Sequence, residues 1–120
     1  MLTPQQKQRY VSGWLKREKE REARLKQQHQ LALKKAFEIA QMLKAKYGVK
    51  KVVLFGSVVN GKYWAHSDID IAVHGMDEDR YLDMAWEASQ IALPFKVDLL
   101  PFEKVSKALQ RKITDEGLVI

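Results

Sequence analysis

One stretch, Val52 to Val73 (VVLFGSVVNGKYWAHSDIDIAV), restricts the possible folds of this chain more than any other. Lys51-Val52-Val53-Leu54-Phe55 is a short apolar run rich in β-branched residues, as a buried strand is, and it stops at Gly56-Ser57. Glycine lets the backbone turn sharply and lets a ligand approach it. Ser57 then offers a hydroxyl and a backbone N–H that can both face a phosphate, with Val58 to Asn60 beginning a helical turn whose N–H groups point the same way. Ten residues later, Ser67-Asp68-Ile69-Asp70-Ile71-Ala72-Val73 alternates in the manner of a strand. Ile69, Ile71 and Val73 are expected on the core face, and Asp68 and Asp70 on the other. Neighbouring carboxylates repel each other, which raises a pKa and costs stability unless a cation lies between them. Hard oxygen ligands with room left for water and phosphate oxygens suit Mg²⁺ or Mn²⁺. A third acid, Asp98, interrupts the apolar run Lys96-Val97-Asp98-Leu99-Leu100. It completes a cluster of three if that strand lies beside the one carrying Asp68.

Gly56-Ser57, ten intervening residues, Asp68-x-Asp70 and a later Asp98 in an apolar strand together resemble the signature of the DNA polymerase beta-like nucleotidyltransferase superfamily. Within it the closer resemblance is to the minimal nucleotidyltransferases (MNT domain), including the MntA-type antitoxins of HEPN/MNT toxin–antitoxin systems. It covers roughly Val49 to the C-terminus. The resemblance implies a catalytic set of Asp68, Asp70 and Asp98, with Asp68 and Asp70 as metal ligands and Asp98 ligating one ion and able to take a proton. It also implies that Ser57 and the Gly56 turn hold the terminal phosphates of ATP, the expected substrate. Many relatives carry a basic residue straight after the serine, where this chain has Val58; Lys62 is a loop alternative. Tyr63 and Trp64 could cover a base or cap a core edge, and His66 beside the acids reads as a bystander rather than a ligand.

The chain has 120 residues, enough for one domain with a modest core but small for an enzyme carrying its own acceptor-binding lobe. With no cysteine, disulfides and thiolate metal sites are excluded, and the expected compartment is the cytoplasm. No apolar run approaches a membrane span of ~20 residues, and Met1-Leu2-Thr3-Pro4 does not begin as a signal peptide does, so no membrane partner is expected.

The net charge of +6 is uneven: residues 1–30 hold 8 basic and 3 acidic residues, and the remainder 13 and 12. We therefore divide the chain into a basic helical N-terminal extension, 1–30, and a minimal nucleotidyltransferase domain, 31–120. Thr3-Pro4 reads as a helix start. Tyr10, Val11, Trp14 and Leu15 follow at helical spacing as a small apolar patch, with Gly13 inside it as a possible bend. The patch either folds back onto the domain or docks another chain. Lys16 to Gln30 has many alternating charges and few apolar residues, a solvated helix. Its interleaved Glu18, Glu20 and Glu22 argue against direct nucleic-acid binding. His29 receives no role.

From Leu33 the stripe Leu33, Ala36, Phe37, Ala40, Leu43 and Tyr47 predicts a core helix ending at Gly48. Asp77-Glu78-Asp79 opens another helix, where acids suit the macrodipole and need no metal. Tyr81, Leu82, Ala85, Trp86 and Ala88 continue it until Pro94 ends it. Phe95 to Leu100 is a third strand. Phe102 to Glu116 reads as a closing helix with Val105, Leu109 and Ile113 inward, and Leu118-Val119-Ile120 as a terminal strand. The predicted class is α+β, a small mixed β-sheet with packed helices plus the long helical extension.

With the phosphate turn and three acids at one sheet edge, two-metal nucleotidyl transfer is the reaction class. A bare domain leaves the acceptor to a bound protein. The resemblance implies AMP transfer from ATP to a tyrosine of a cognate HEPN-domain ribonuclease toxin, which neutralises it, with Tyr10, Val11, Trp14 and Leu15 helping to hold the toxin. Two rivals stand beside this: a small-molecule transferase of the aminoglycoside-modifying kind, and a steric antitoxin with no catalysis.

Overall fold

The computed structural model describes residues 1–60 and 68–120; Lys62, Tyr63, Trp64 and His66 lie outside them. The chain begins with one uninterrupted helix, α1 (Pro4–Tyr47). Thr3 starts it with a reciprocal cap: its hydroxyl accepts from the Gln6 amide, and the Gln6 side chain accepts from the Thr3 amide. Gly48, in the left-handed conformation at φ +64°, ends it. Gly13 neither bends nor breaks the helix, since one glycine costs only about 1 kcal/mol in helix propensity and 43 other residues carry the ladder. α1 gives the molecule its longest dimension, 68 Å against 29 and 18 Å.

The buried side of α1 is Ala32, Ala36, Ile39, Ala40 and Leu43. Phe37, assigned to the core stripe from spacing, is instead half exposed. It sits about 100° from Ala36, off the flank of the seam, and Ile39 fills the place expected for it. Before Ala32 no residue is buried, and Tyr10 and Trp14 are 70% and 52% exposed. The patch does not fold back: it stands on an arm continuous with the core helix.

After Gly48 come β1 (Lys51–Phe55), a one-turn helix α2 (Ser57–Asn60) and β2 (Asp68–His74). A short 3₁₀ turn, Glu78–Arg80, leads into α3 (Tyr81–Ala92), then β3 (Lys96–Pro101), a second 3₁₀ turn, α4 (Lys107–Glu116) and β4 (Leu118–Val119). The sheet order is β3-β2-β1-β4, with β1 antiparallel to both β2 and β4 and β2 parallel to β3, a mixed sheet. α1 and α3 cover one face. Val52, Leu54, Ile69, Ile71, Val73 and Leu99 point into them to form the main core. Met84, Ala88 and Ala92 are the inward residues of α3, while Leu82 and Trp86 are exposed at 80% and 65%. Apolar character alone did not identify the buried side of this helix.

The opposite face is covered only in part. Val53, Phe55, Ala72 and Ile113 make a small second core under α4, with Val105 and Leu109 at its margin. The expected closing helix Phe102–Glu116 is split: Val105 is extended, and Ser106 caps a new start by accepting from the Leu109 amide at 3.2 Å. The strand at Leu118–Val119 forms as expected and completes the edge beside β1.

Candidate active site

The site is built on the less covered face. Phe55 pairs with Asp70 across the β1–β2 ladder, and Asp70 pairs with Asp98 across β2–β3, so one rung of the sheet carries all three. Paired residues project to the same face, and alternation puts Asp68 there too, opposite Lys96. The strand carrying Asp98 thus lies beside the one carrying Asp68, the condition set for Asp98 to join the other two, and the pairing is parallel. Asp68 and Asp98 are exposed and Asp70 is half-buried between them. A shallow pocket of about 190 Å³ is lined by Asp68, Lys96, Val97 and Asp98.

Burial raises the Asp70 pKa above the ordinary carboxylate value of 3.8, and the negative charges of Asp98 and then Asp68 raise it further. Gly56 closes the other side, at φ +80°. A Cβ there would lie 3.3 Å from the Asp70 carboxyl carbon and would collide with Oδ2. The turn is thus a glycine for two reasons, backbone sign and the carboxylate pressed against it. Ser57 is exposed beside it, and the two line a second pocket of about 310 Å³ together with Val59, Asn60, Lys112 and Glu116.

Three carboxylates on one face, mutually repelling, with Gly56 cut away to admit one of them, suit a hard divalent cation. Among the described residues their oxygens are not already gathered into a complete ligand set.

Three features escaped the sequence reading. His29 donates from Nε2 to the Val58 carbonyl at 2.6 Å, tying α1 to the one-turn helix after the Gly56–Ser57 turn. Nothing in a lone histidine among glutamines signals a contact 29 residues away. Val58 is fully buried, so its position could not supply a basic contact in any case. Lys112 reaches the Gly56–Ser57 pocket from α4, and only tertiary packing brings it there. Asp77, as expected, is a cap: its Oδ1 accepts from the Asp79 amide at 3.1 Å.

Residues 37–120 match the family Polymerase beta, Nucleotidyltransferase. The chain is similar to two proteins of Methanocaldococcus jannaschii named as candidate protein adenylyltransferases. One is 34% identical over 84 residues, 66% of this chain and 83% of the relative; the other is 32% identical over 94 residues, 69% and 91%. Among solved structures it resembles a chain of a toxin–antitoxin crystal structure with AMP-PNP, at 27% identity and TM-score 0.59 over 70% of each chain. It also resembles a chain of tri-AMPylated Shewanella oneidensis HEPN toxin in complex with MNT antitoxin, at 28% identity and TM-score 0.53, covering 76% of this chain and 70% of that one.

Proposed function

Since the chain belongs to the polymerase beta nucleotidyltransferase family and is a nucleotidyltransferase, we propose that it is the antitoxin of a HEPN/MNT pair. In this reading it transfers AMP from ATP to a tyrosine of its cognate HEPN ribonuclease and so silences it. The observation that carries the chemistry is the rung Asp70–Asp98, with Asp68 one pleat away and Gly56 cut back beside it. The relatives with AMP-PNP and with an AMPylated HEPN toxin support the substrate and the acceptor.

Asp68, Asp70 and Asp98 would hold Mg²⁺, or Mn²⁺ in its place. When bound, the metal supplies charge neutralisation at the phosphates and a lowered pKa for the attacking hydroxyl. Gly56 and Ser57 cradle the terminal phosphates. Asp98, exposed near the β3 edge, is reachable by a hydroxyl carried on another protein, and it takes the tyrosine proton. The phenolic oxygen bonds to the α-phosphorus, the bond from that phosphorus to the bridging oxygen breaks, and pyrophosphate leaves. Half-buried Asp70 stays within the site and orients rather than exchanges protons.

The hydrogen bond from His29 to Val58 lies at the same end of the sheet as Gly56, so α1 residues before His29 project past that end of the sheet. Tyr10, Val11, Trp14 and Leu15 lie on this projecting part of α1, and there they would hold a docked ribonuclease. Replacing Tyr10 and Trp14 together by alanine is expected to weaken the ribonuclease complex on the order of tenfold to a hundredfold, leaving AMP-PNP binding intact. Calorimetry with each ligand checks both halves.

The defining test is intact mass spectrometry of the cognate ribonuclease after incubation with this chain, ATP and Mg²⁺. Nucleotide mass on a tyrosine-containing peptide is expected. An unmodified ribonuclease alongside ATP turnover by the purified chain on a small molecule would replace this reading with the small-molecule one.

A further inference from the structure

A turn that holds phosphates without a basic side chain of its own leaves a charge problem. The face already carries three carboxylates, and the nucleotide adds a polyanion. Val58 cannot answer it, because its side chain is buried in the main core. The Gly56–Ser57 pocket has a second wall, however, from α4. Ile113 is packed at 1% exposure against Val53, Phe55 and Ala72, and that contact fixes the rotation of the helix about its axis. With Ile113 facing the sheet, Lys112 lies one step round the helix, on the rim shared with Gly56, Ser57, Val59 and Asn60. Among the described residues Lys112 is in neither ion pair. Glu116, one turn further along, lines the same pocket with the opposite charge.

We propose that Lys112 binds the β- and γ-phosphates of the nucleoside triphosphate and stabilises the pyrophosphate as it departs, in place of the basic residue absent after Ser57. This rests on the nucleotidyltransferase reading with phosphates at Gly56–Ser57. When the α-phosphorus exchanges its bridging oxygen for the acceptor oxygen, the electron pair leaves with pyrophosphate. The Lys112 ammonium offsets the charge gathering there and keeps its own proton. The site then has two sides: phosphates toward α4, and the acceptor arriving from the β3 edge at Asp98. Lysine suits the task as a compact, mobile point charge.

The experiment is calorimetry on the full chain with Mg²⁺, using AMP-PNP and, separately, AMP, which lacks the β- and γ-phosphates. Lys112→Ala is expected to weaken AMP-PNP roughly tenfold, as loss of one charge-assisted contact does, and to leave AMP unchanged. Lys112→Arg should recover most of the loss. Glu116→Gln should tighten AMP-PNP about twofold, and Arg111→Ala, its neighbour outside the pocket, should match wild type. In transfer assays the Lys112→Ala loss should appear in KM for ATP and in kcat, because the contact is made to the bound triphosphate and strengthens as charge gathers on the departing pyrophosphate. Lys112 is exposed, so circular dichroism should show an unaltered fold. Equal AMP-PNP affinity in Lys112→Ala and wild type, or equal losses for AMP and AMP-PNP, overturns the assignment while leaving the nucleotidyltransferase reading in place. Wild-type chain that binds no AMP-PNP overturns both.

Discussion

Asp70→Asn should abolish AMP transfer, by on the order of a thousandfold or more, and at the same time make the metal-free chain harder to melt. The two effects share one cause. Asp70 is the central carboxylate of the three, half-buried, in register with Asp98 and against the Gly56 turn. Its pKa is raised by burial and by the charges of Asp98 and Asp68. A carboxylate with a folded pKa above its unfolded value binds protons more readily in the folded state. Its charge therefore destabilises the fold fully above the folded pKa, and this penalty is relieved as pH falls toward and below the ordinary value of 3.8. Asparagine removes the penalty at neutral pH. In thermal melts with chelator present, the variant should exceed wild type at pH 7, and the gap should close as pH approaches 4. Adding Mg²⁺ should raise the melting temperature of wild type and not of the variant. A variant that melts below wild type at pH 7 would show that the carboxylate is held by favourable contacts and not against repulsion.

Gly56→Ala should lower transfer by roughly a hundredfold, through displacement of Asp70 and not through loss of any chemical group. The added methyl would meet the Asp70 carboxylate, at 3.3 Å from its carbon and closer still to Oδ2, on a backbone at φ +80° that L side chains rarely adopt. Stability should fall by about 1–3 kcal/mol. Gly48→Ala separates the two contributions. It has the same sign of φ, at +64°, but open space around the new methyl. It should cost about 1–2 kcal/mol from the backbone alone and leave transfer rates untouched. If Gly56→Ala loses no more activity than Gly48→Ala, crowding of Asp70 is not what the glycine prevents.

The strand–turn–strand unit was legible in the sequence because its signals are local. Alternation assigned Ile69, Ile71 and Val73 to the core and Asp68 and Asp70 to the other face, and the glycine marked the turn. Asp98 was legible only conditionally, since the parallel pairing of β3 with β2 is a non-local fact. The helices divided differently. The ends of α1 followed from Thr3 and Gly48, which act within a few residues, whereas the start of α4 at Ser106 was not read and Phe102 was taken for it. The buried sides of the helices did not follow: Phe37, Leu82 and Trp86 are strongly apolar yet exposed, because small residues such as Ala32, Ala36, Ala88 and Ala92 let the helices approach closely and take the seam. His29 and Lys112 join the site through packing between distant segments, and neither has a pattern that a linear reading detects.

The lack of any joint between the arm and the body would turn length into selectivity if a ribonuclease docks on the arm as proposed. Counting back from His29 to Trp14 gives 15 residues, a span of roughly 22 Å at the helical rise. An α-helix keeps such a span fixed, so in a HEPN/MNT pair α1 would work as a caliper, with one jaw where His29 is tied to the helix after the Gly56 turn and the other at the aromatic pair. A guest seated on the far jaw would then offer only the hydroxyl that its own surface carries at that separation. Choice of which tyrosine is modified would then be a matter of measured distance, even where the pocket itself makes no distinction among side chains.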